Sequence, residues 1–224
     1  MLRTGRIHRT PSLQYDATDQ AVAKLRAYFT PLSGTNDGYT GGVFDSFDPS
    51  ATRAATTNVF TADDVVAVTL LSVQLSGRAA VELLERQRSR FSALLEEVGP
   101  DRDLVDVAST APADFPAHRL AQALRELPAV GPTIASKLMA RKRPRLIPIY
   151  DTVVNTHLLN GTGKLWEPLR LALREDDARL HHHLLQLRAT AGLGEHISAI
   201  RILDVLAWMD GKGYADPPPA SADD

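Results

Sequence analysis

Apolar residues recur every third or fourth position through most of this chain, and each such run predicts a helix. Val22, Leu25, Ala27 and Phe29 follow the capping stretch Asp16-Ala17-Thr18. Thr61-Ala62-Asp63-Asp64 has the form of a capping box. The stretch it opens, Val65 to Leu75, is apolar on nearly every side, which predicts a buried helix reaching the surface at Gln74 to Gly77. Over residues 78–97 the periodic residues are Ala80, Leu83, Leu84, Phe91, Leu94 and Leu95, and Gly99-Pro100-Asp101 ends the run. A short helix is expected within 101–109, and others over 117–126, 152–158, 166–174, 178–191 and 197–209. The last is again apolar on most sides. No segment alternates as a half-buried strand does, so the predicted class is all-α, with eight or nine helices. Two segments escape the pattern. Residues 31–38 are rich in turn formers. Tyr39 to Asp48 mixes glycines, acids and aromatics and reads either as an apolar lid over the core or as a loop facing a substrate.

The punctuation between two of these helices is the most specific local feature. Ala117, Leu120, Ala121, Leu124 and Leu127 share one helical face, and Pro128 and Gly131 then break the repeat. Pro132 suits the first turn of a new helix, where its missing N–H costs nothing. That helix places Ile134, Ala135, Leu138 and Met139 together and ends at Arg141-Lys142-Arg143-Pro144. A helix, a tight hairpin and a second helix are therefore expected. Backbone amides at such a hairpin, and at the helix N-terminus after it, can face a phosphate.

Composition narrows the partners. The 224 residues allow one domain or two lobes with a shared core. A hydrophobic content of 44% with 23% charged residues fits a water-soluble globular chain. No cysteine is present, which excludes disulfides and any thiolate-bound zinc or iron–sulfur centre. The chain contains no apolar run long enough to span a membrane, and Met1 to Pro11 lacks the apolar segment of a secretory signal. A cytoplasmic protein is expected. The formal net charge is −2, whereas nucleic-acid binders are often basic overall. Local clusters offset that: Lys137, Arg141, Lys142, Arg143 and Arg145 directly follow the hairpin, and Arg86, Arg88 and Arg90 form a second group. Each cluster reads either as a phosphate-facing patch or as a solvated helix end.

Leu127-Pro128-Ala129-Val130-Gly131, then Thr133-Ile134-Ala135, then Asp151 eighteen residues after Thr133, resembles the hairpin and catalytic aspartate of the helix-hairpin-helix DNA glycosylase superfamily, the endonuclease III-like enzymes. Leu70-Leu71-Ser72-Val73-Gln74 is similar to the end of an early helix in that family. The resemblance implies a two-lobed helical bundle with the substrate groove between lobes. Residues 1–60, the N-terminal helix and Gly-rich loop, would belong to the second lobe. Residues 61–160 would form the helical core with the hairpin, and 161–214 the C-terminal helices completing the fold. The tail, 215–224, with three prolines and two terminal acids, is expected to be disordered. The implied activity is hydrolysis of the N-glycosidic bond of a modified or mispaired base flipped out of double-stranded DNA. A non-catalytic DNA-binding protein of the same fold, or an enzyme for a nucleotide or other small N-glycoside, are the alternatives.

By this resemblance Asp151 is the catalytic carboxylate, stabilising a cationic sugar and orienting water. The plainer reading is a helix cap. Thr133 stands where bifunctional relatives carry a Schiff-base lysine, which implies a monofunctional enzyme. Gln74 would enter the space left by the flipped base. Ala129, Val130, Gly131, Thr133 and Lys137 would lie along the DNA backbone. The backbone carbonyls of Arg125, Leu127 and Val130 would hold a monovalent cation, with no other cofactor and no iron–sulfur cluster. Ala129 replaces the family's glycine, and a left-handed backbone there would carry a strain of ~1 kcal/mol. His181-His182-His183 suggests a metal site, but neighbours on a helix diverge by about 100° and cannot converge on one ion.

Overall fold

The computed structural model describes residues 7–32 and 38–214. The expected disordered tail, 215–224, lies outside the described residues, as does most of the turn-rich 31–38 segment. Among the described residues there is no strand, and the all-α expectation holds. The helices are α1 (Thr18–Phe29), α2 (Ala62–Thr69), α3 (Gly77–Val81), α4 (Arg88–Val98), α5 (Ala117–Arg125), α6 (Pro132–Lys142), α7 (Thr152–Leu159), α8 (Trp166–Thr190) and α9 (Ala199–Gly211). Packing divides them into two neighbourhoods. α5 packs on α4 and α6, and α6 also packs on α2. α9 packs on α1, α7 and α8, as the near-continuous apolar run 197–209 predicts. A single buried apolar cluster, from Leu13 to Met209, runs through both.

Two elements depart from expectation. The stretch after Thr61 does not stay helical to Leu75. The capping box forms, with Asp64 Oδ2 accepting from the Thr61 amide at 2.8 Å, but α2 stops at Thr69. Leu70 and Leu71 turn back onto Ala67 and Val68, and Ser72 sits at φ +60°. One face alone, carrying Ala67 and Val68, is buried, while Val66 is 47% exposed. The apolar run thus serves a helix and then an extended segment, each packing its own subset of residues. The 78–97 run is a helix with a π-turn over Glu82–Arg86, closed by Gln87 N–H donating to the Glu82 carbonyl. That turn shifts the face between α3 and α4.

The boundary between the two C-terminal patterns also appears. Along α8, residues Glu175 to Ala178 leave helical geometry, with Asp176, Asp177 and Ala178 at φ near +55°. No helix among the described residues is long and apolar enough to cross a membrane.

Candidate functional site

The hairpin forms as its residues dictate. Val130 N–H donates to the Leu127 carbonyl at 3.1 Å, closing the turn. Gly131 caps α6, and Pro132 takes its first position. Ala129 is exposed and left-handed, at φ +60°, so the strain anticipated for a non-glycine residue is present. A side chain at Gly131 would meet nothing within 4 Å, so the cap opens onto free space. Of the carbonyls expected to hold a cation, that of Leu127 is engaged in the turn; those of Arg125 and Val130 flank it.

The stretch after α2 and the hairpin, far apart along the chain, come together here. Ser76 Oγ donates to the Pro128 carbonyl at 3.3 Å, and Lys137 Nζ donates to the Leu71 carbonyl at 2.8 Å. Gln74 lies between those two ties and is exposed. Thr133 is half-buried in the first turn of α6. On the other side of α6, Ser136 Oγ accepts from the Tyr150 amide at 2.9 Å and fixes the residue preceding Asp151.

Asp151 is the N-cap of α7: its Oδ1 accepts from the Val153 amide at 2.8 Å. The carboxylate is half-buried, and Oδ2 has no hydrogen bond among the described residues. Capping therefore uses one oxygen and leaves the other open to solvent. Inward from Asp151 runs a chain of charges. Lys137, 4% exposed, is pulled below the usual lysine pKa by burial, against the opposing pull of Asp151 and Asp204. Asp204 is raised to about 6, first by burial and further by the charge of Asp151, although Arg201 beside it acts in the other direction. Arg201 NH1 meets Asp204 Oδ2 at 2.5 Å, and its Nε meets Asp45 Oδ2 at 2.9 Å. Its NH2 donates to Tyr28 Oη and to the Gly41 carbonyl, each at 3.0 Å.

The Gly-rich segment is thereby placed. A Cβ at Gly41 would lie 2.1 Å from Tyr28 Oη and 3.0 Å from Leu71 Cδ2, so only glycine admits this approach. Tyr39 stacks on Tyr28, with ring centroids 5.2 Å apart, and meets Trp208 and Tyr214 edge-on. Trp208 follows Asp204 by one helical turn, on the same face of α9. Where α9 crosses α7, a Cβ at Gly211 would lie 2.4 Å from Val153 Cγ1, two residues beyond Asp151. Half-buried aromatic rings thus stand beside the charged cluster. The segment covers the core beside that cluster.

Sequence reasoning missed Asp204, Arg201, Tyr28 and Trp208; Tyr39 and Asp45 lie in the segment it singled out as a lid or a substrate-facing loop. A signal existed for two of them. Arg201 and Asp204 interrupt an otherwise apolar helix, and a charge forced into such a helix must find a partner or a task.

The first basic cluster corrects the expectation of a phosphate-facing patch. Lys137, Arg141, Lys142 and Arg143 are all 5% exposed or less. Lys137 spends its amine on Leu71. Arg141 donates to the carbonyls of Phe44 and Phe47, both at 2.7 Å, and faces Asp64. Lys142 pairs with Asp64 at 2.5 Å and donates to Thr56. Arg143 binds the Thr57 and Leu95 carbonyls and Asn58 Oδ1. Only Arg145 is exposed, and it pairs with Asp103. For Arg141, Lys142 and Arg143 the physical reason is the irregular 41–58 segment, whose carbonyls have no ladder partners and take these cations instead. In the second cluster, Arg86 pairs with Glu82 and Arg90 with Glu126, all on the surface. The three consecutive histidines diverge: His181 is buried, His182 exposed and His183 half-buried. Among the described residues no group of acids and histidines could hold a metal.

Residues 21–211 match a family described as being of unknown function, DUF6308. The chain belongs to this family. The match runs from α1 through α9, so the hairpin, Asp151 and the Arg201–Asp204 pair all lie inside the family's span. No curated protein and no solved structure matches the chain.

Proposed function

We propose that this family member is an N-glycosidic bond hydrolase of the helix-hairpin-helix glycosylase type, acting on a modified or mispaired base turned out of double-stranded DNA. The single observation that carries the reading is the convergence of two distant stretches. Leu71 to Ser76 is tied to the hairpin and to α6 through Lys137, whose amine also feels the charge of Asp151. In this reading the two neighbourhoods of helices are two lobes, and the groove lies where α6, α7 and α9 meet.

Asp151 supplies the negative charge that a developing oxocarbenium sugar requires, through the Oδ2 that capping leaves free. Water is the nucleophile, because Thr133 offers no amine. Gln74, exposed beside the hairpin, fills the space of the extruded nucleotide. The open Gly131 cap and the amides after it receive a phosphate. Tyr39 and Trp208 give the extruded base flat surfaces to lie against, worth ~1–3 kcal/mol for a stacked base.

A second reading is favoured by a specific observation. Seven lysines and arginines are buried among the described residues, namely Lys24, Lys137, Arg141, Lys142, Arg143, Arg170 and Arg201. Three aspartates, Asp45, Asp64 and Asp204, are buried with them. The interior therefore holds an excess of positive charge, and the surface is more acidic than the net charge of −2 suggests. Such a surface suits a small N-glycoside, a nucleoside or nucleotide, better than a polyanion.

The test is a panel of duplexes, each with one altered base, assayed for free base in single turnover, with free nucleosides in parallel. The expected outcome is release from at least one duplex and a fall of ~10²–10³ in Asp151→Asn, which keeps the capping oxygen but loses the charge. Release from nucleosides alone selects the second reading. Undiminished release by Asp151→Asn reduces Asp151 to a cap and removes the proposed chemistry.

A further inference from the structure

Among the buried cations of the described residues, Lys137 alone serves neither the 41–58 segment nor an ion pair. Its Nζ donates at 2.8 Å to the carbonyl of Leu71, in the stretch between α2 and α3. That stretch has little to hold it from within. Val73, Gln74 and Leu75 make no backbone hydrogen bond among the described residues. Val73 and Leu75 rest on the core, and Gln74 between them is exposed.

Ties to three other elements fix the ends of this bridge. Thr40 Oγ1 donates to the Leu70 carbonyl at 2.8 Å, and Lys137 takes the next carbonyl along. At the far end Ser76 Oγ donates to the Pro128 carbonyl at 3.3 Å. Directly after the two carbonyl ties, Ser72 stands at φ +60°, a left-handed conformation that persists in a non-glycine residue only where its surroundings impose it. The Lys137 tie differs from the other two in carrying charge, and a charged donor binds a carbonyl more strongly than a hydroxyl does. Burial works against that charge, the carboxylates of Asp151 and Asp204 favour it, and Arg201 opposes it. One side chain thus holds the bridge and feels the carboxylate that caps α7.

We propose that Lys137 is a positioning residue, which fixes the bridge carrying Gln74 relative to Asp151, so that insertion beside the hairpin and chemistry at the sugar share one register. The purpose rests on the glycosidic reading; the tie itself does not. Lys137 does not meet DNA, because its side chain is enclosed and its amine engaged. That separates it from a phosphate-binding lysine, which adds to the salt dependence of binding.

The experiment uses the full chain. It has no cysteine, so Gln74→Cys provides a single thiol for a nitroxide label. Paramagnetic resonance then reads how firmly the bridge is held. Lys137→Met, which keeps the stem and removes the ammonium, should raise the mobile fraction of the label severalfold. Lys137→Gln, with a shorter and neutral donor, should do the same, and it replaces the methionine variant if circular dichroism shows that one unfolded. In unlabelled chains, a mispaired duplex carrying 2-aminopurine reports extrusion by the fluorescence of the unstacked base. The Lys137 variants should bind that duplex with unchanged affinity and salt dependence, while the extruded fraction falls roughly tenfold, the loss typical of one charged hydrogen bond. A label equally ordered in folded variants overturns the proposal. So does an undiminished extruded fraction beside a loosened label. A salt slope lowered by about one also overturns it, since Lys137 would then be a phosphate contact. A duplex that the natural chain does not bind strikes the glycosidic reading instead, and the label alone then decides whether Lys137 holds the bridge.

Discussion

Asp204 gives the sharpest test of how the candidate site is held. Its carboxyl is 7% exposed, is paired with Arg201 at 2.5 Å, and is raised from 3.8 to about 6 by burial first and the charge of Asp151 second. A carboxyl whose folded pKa lies above its unfolded value opposes folding once it ionises. Below pH 3.8 the group is protonated in both states and has no effect on the balance. As pH rises to about 6 the unfolded chain ionises first, and the folded state loses stability over that interval. Above pH 6 the cost is complete. At 1.36 kcal/mol for each pH unit separating the two pKa values, it is on the order of 3 kcal/mol. Asp204→Asn keeps an oxygen for Arg201 and removes the charge. The variant should therefore be more stable than the natural chain at pH 7, by on the order of 3 kcal/mol, and equal to it near pH 4. Urea melts at half-unit intervals from pH 4 to pH 7.5 measure the difference directly. The shape of the curve is as informative as its height, since only a group titrating between the two pKa values produces that slope. A difference that is flat across the range, or that favours the natural chain as pH rises, refutes this account of Asp204. It would mean that Arg201 more than compensates the buried charge.

Three other outcomes follow from the same geometry. Gly131→Val should fold and melt within about 0.5 kcal/mol of the natural chain, because nothing lies near the added side chain and φ is −92°; duplex binding, measured by anisotropy, should be lost. Ala129→Gly relieves left-handed strain but frees the unfolded chain, so chemical denaturation should show a gain between nothing and about 1 kcal/mol, with no loss of affinity. Arg141→Met leaves Asp64 and the Phe44 and Phe47 carbonyls short of a partner and should cost ~3–5 kcal/mol in urea, with little change in the salt dependence of binding.

How much of this was legible in the sequence depended on the range of the interaction that decided each element. The hairpin was readable because proline and glycine act locally: Pro132 and Gly131 fix the start of α6 whatever surrounds it. The caps at Thr61 and Asp151 were readable for the same reason. The end of α2 was not, because Val65 to Leu75 is apolar throughout and only the position of α6 decides which face is buried. Lys137 and Arg141 to Arg143 were misjudged because a cation run looks the same whether water or carbonyls receive it. The receivers, Leu71 for Lys137 and the 41–58 segment for the others, lie far away in sequence. Asp151 could be tied to the hairpin by its spacing from Thr133, but Arg201 and Asp204 lie on α9 and Asp45 on the 41–58 segment, far apart in sequence. Their meeting depends on Gly41 allowing Tyr28 to approach.

The carbonyl-bound cations of α6 have a consequence for motion. Residues 41–58 contain only single turns of helix, the kind of segment that ordinarily opens and closes many times before a protein unfolds. Here Arg141, Lys142 and Arg143 grip its carbonyls at Phe44, Phe47, Thr56 and Thr57 from inside the core. Releasing the segment would strand three buried charges at once, so its local opening should be nearly as rare as global unfolding. Amide protons along it should therefore exchange with solvent late, together with those of α6. A wall of the candidate site made of irregular chain is in this way as rigid as a helix, and any opening there has to come from elsewhere, at Tyr39 and Tyr214.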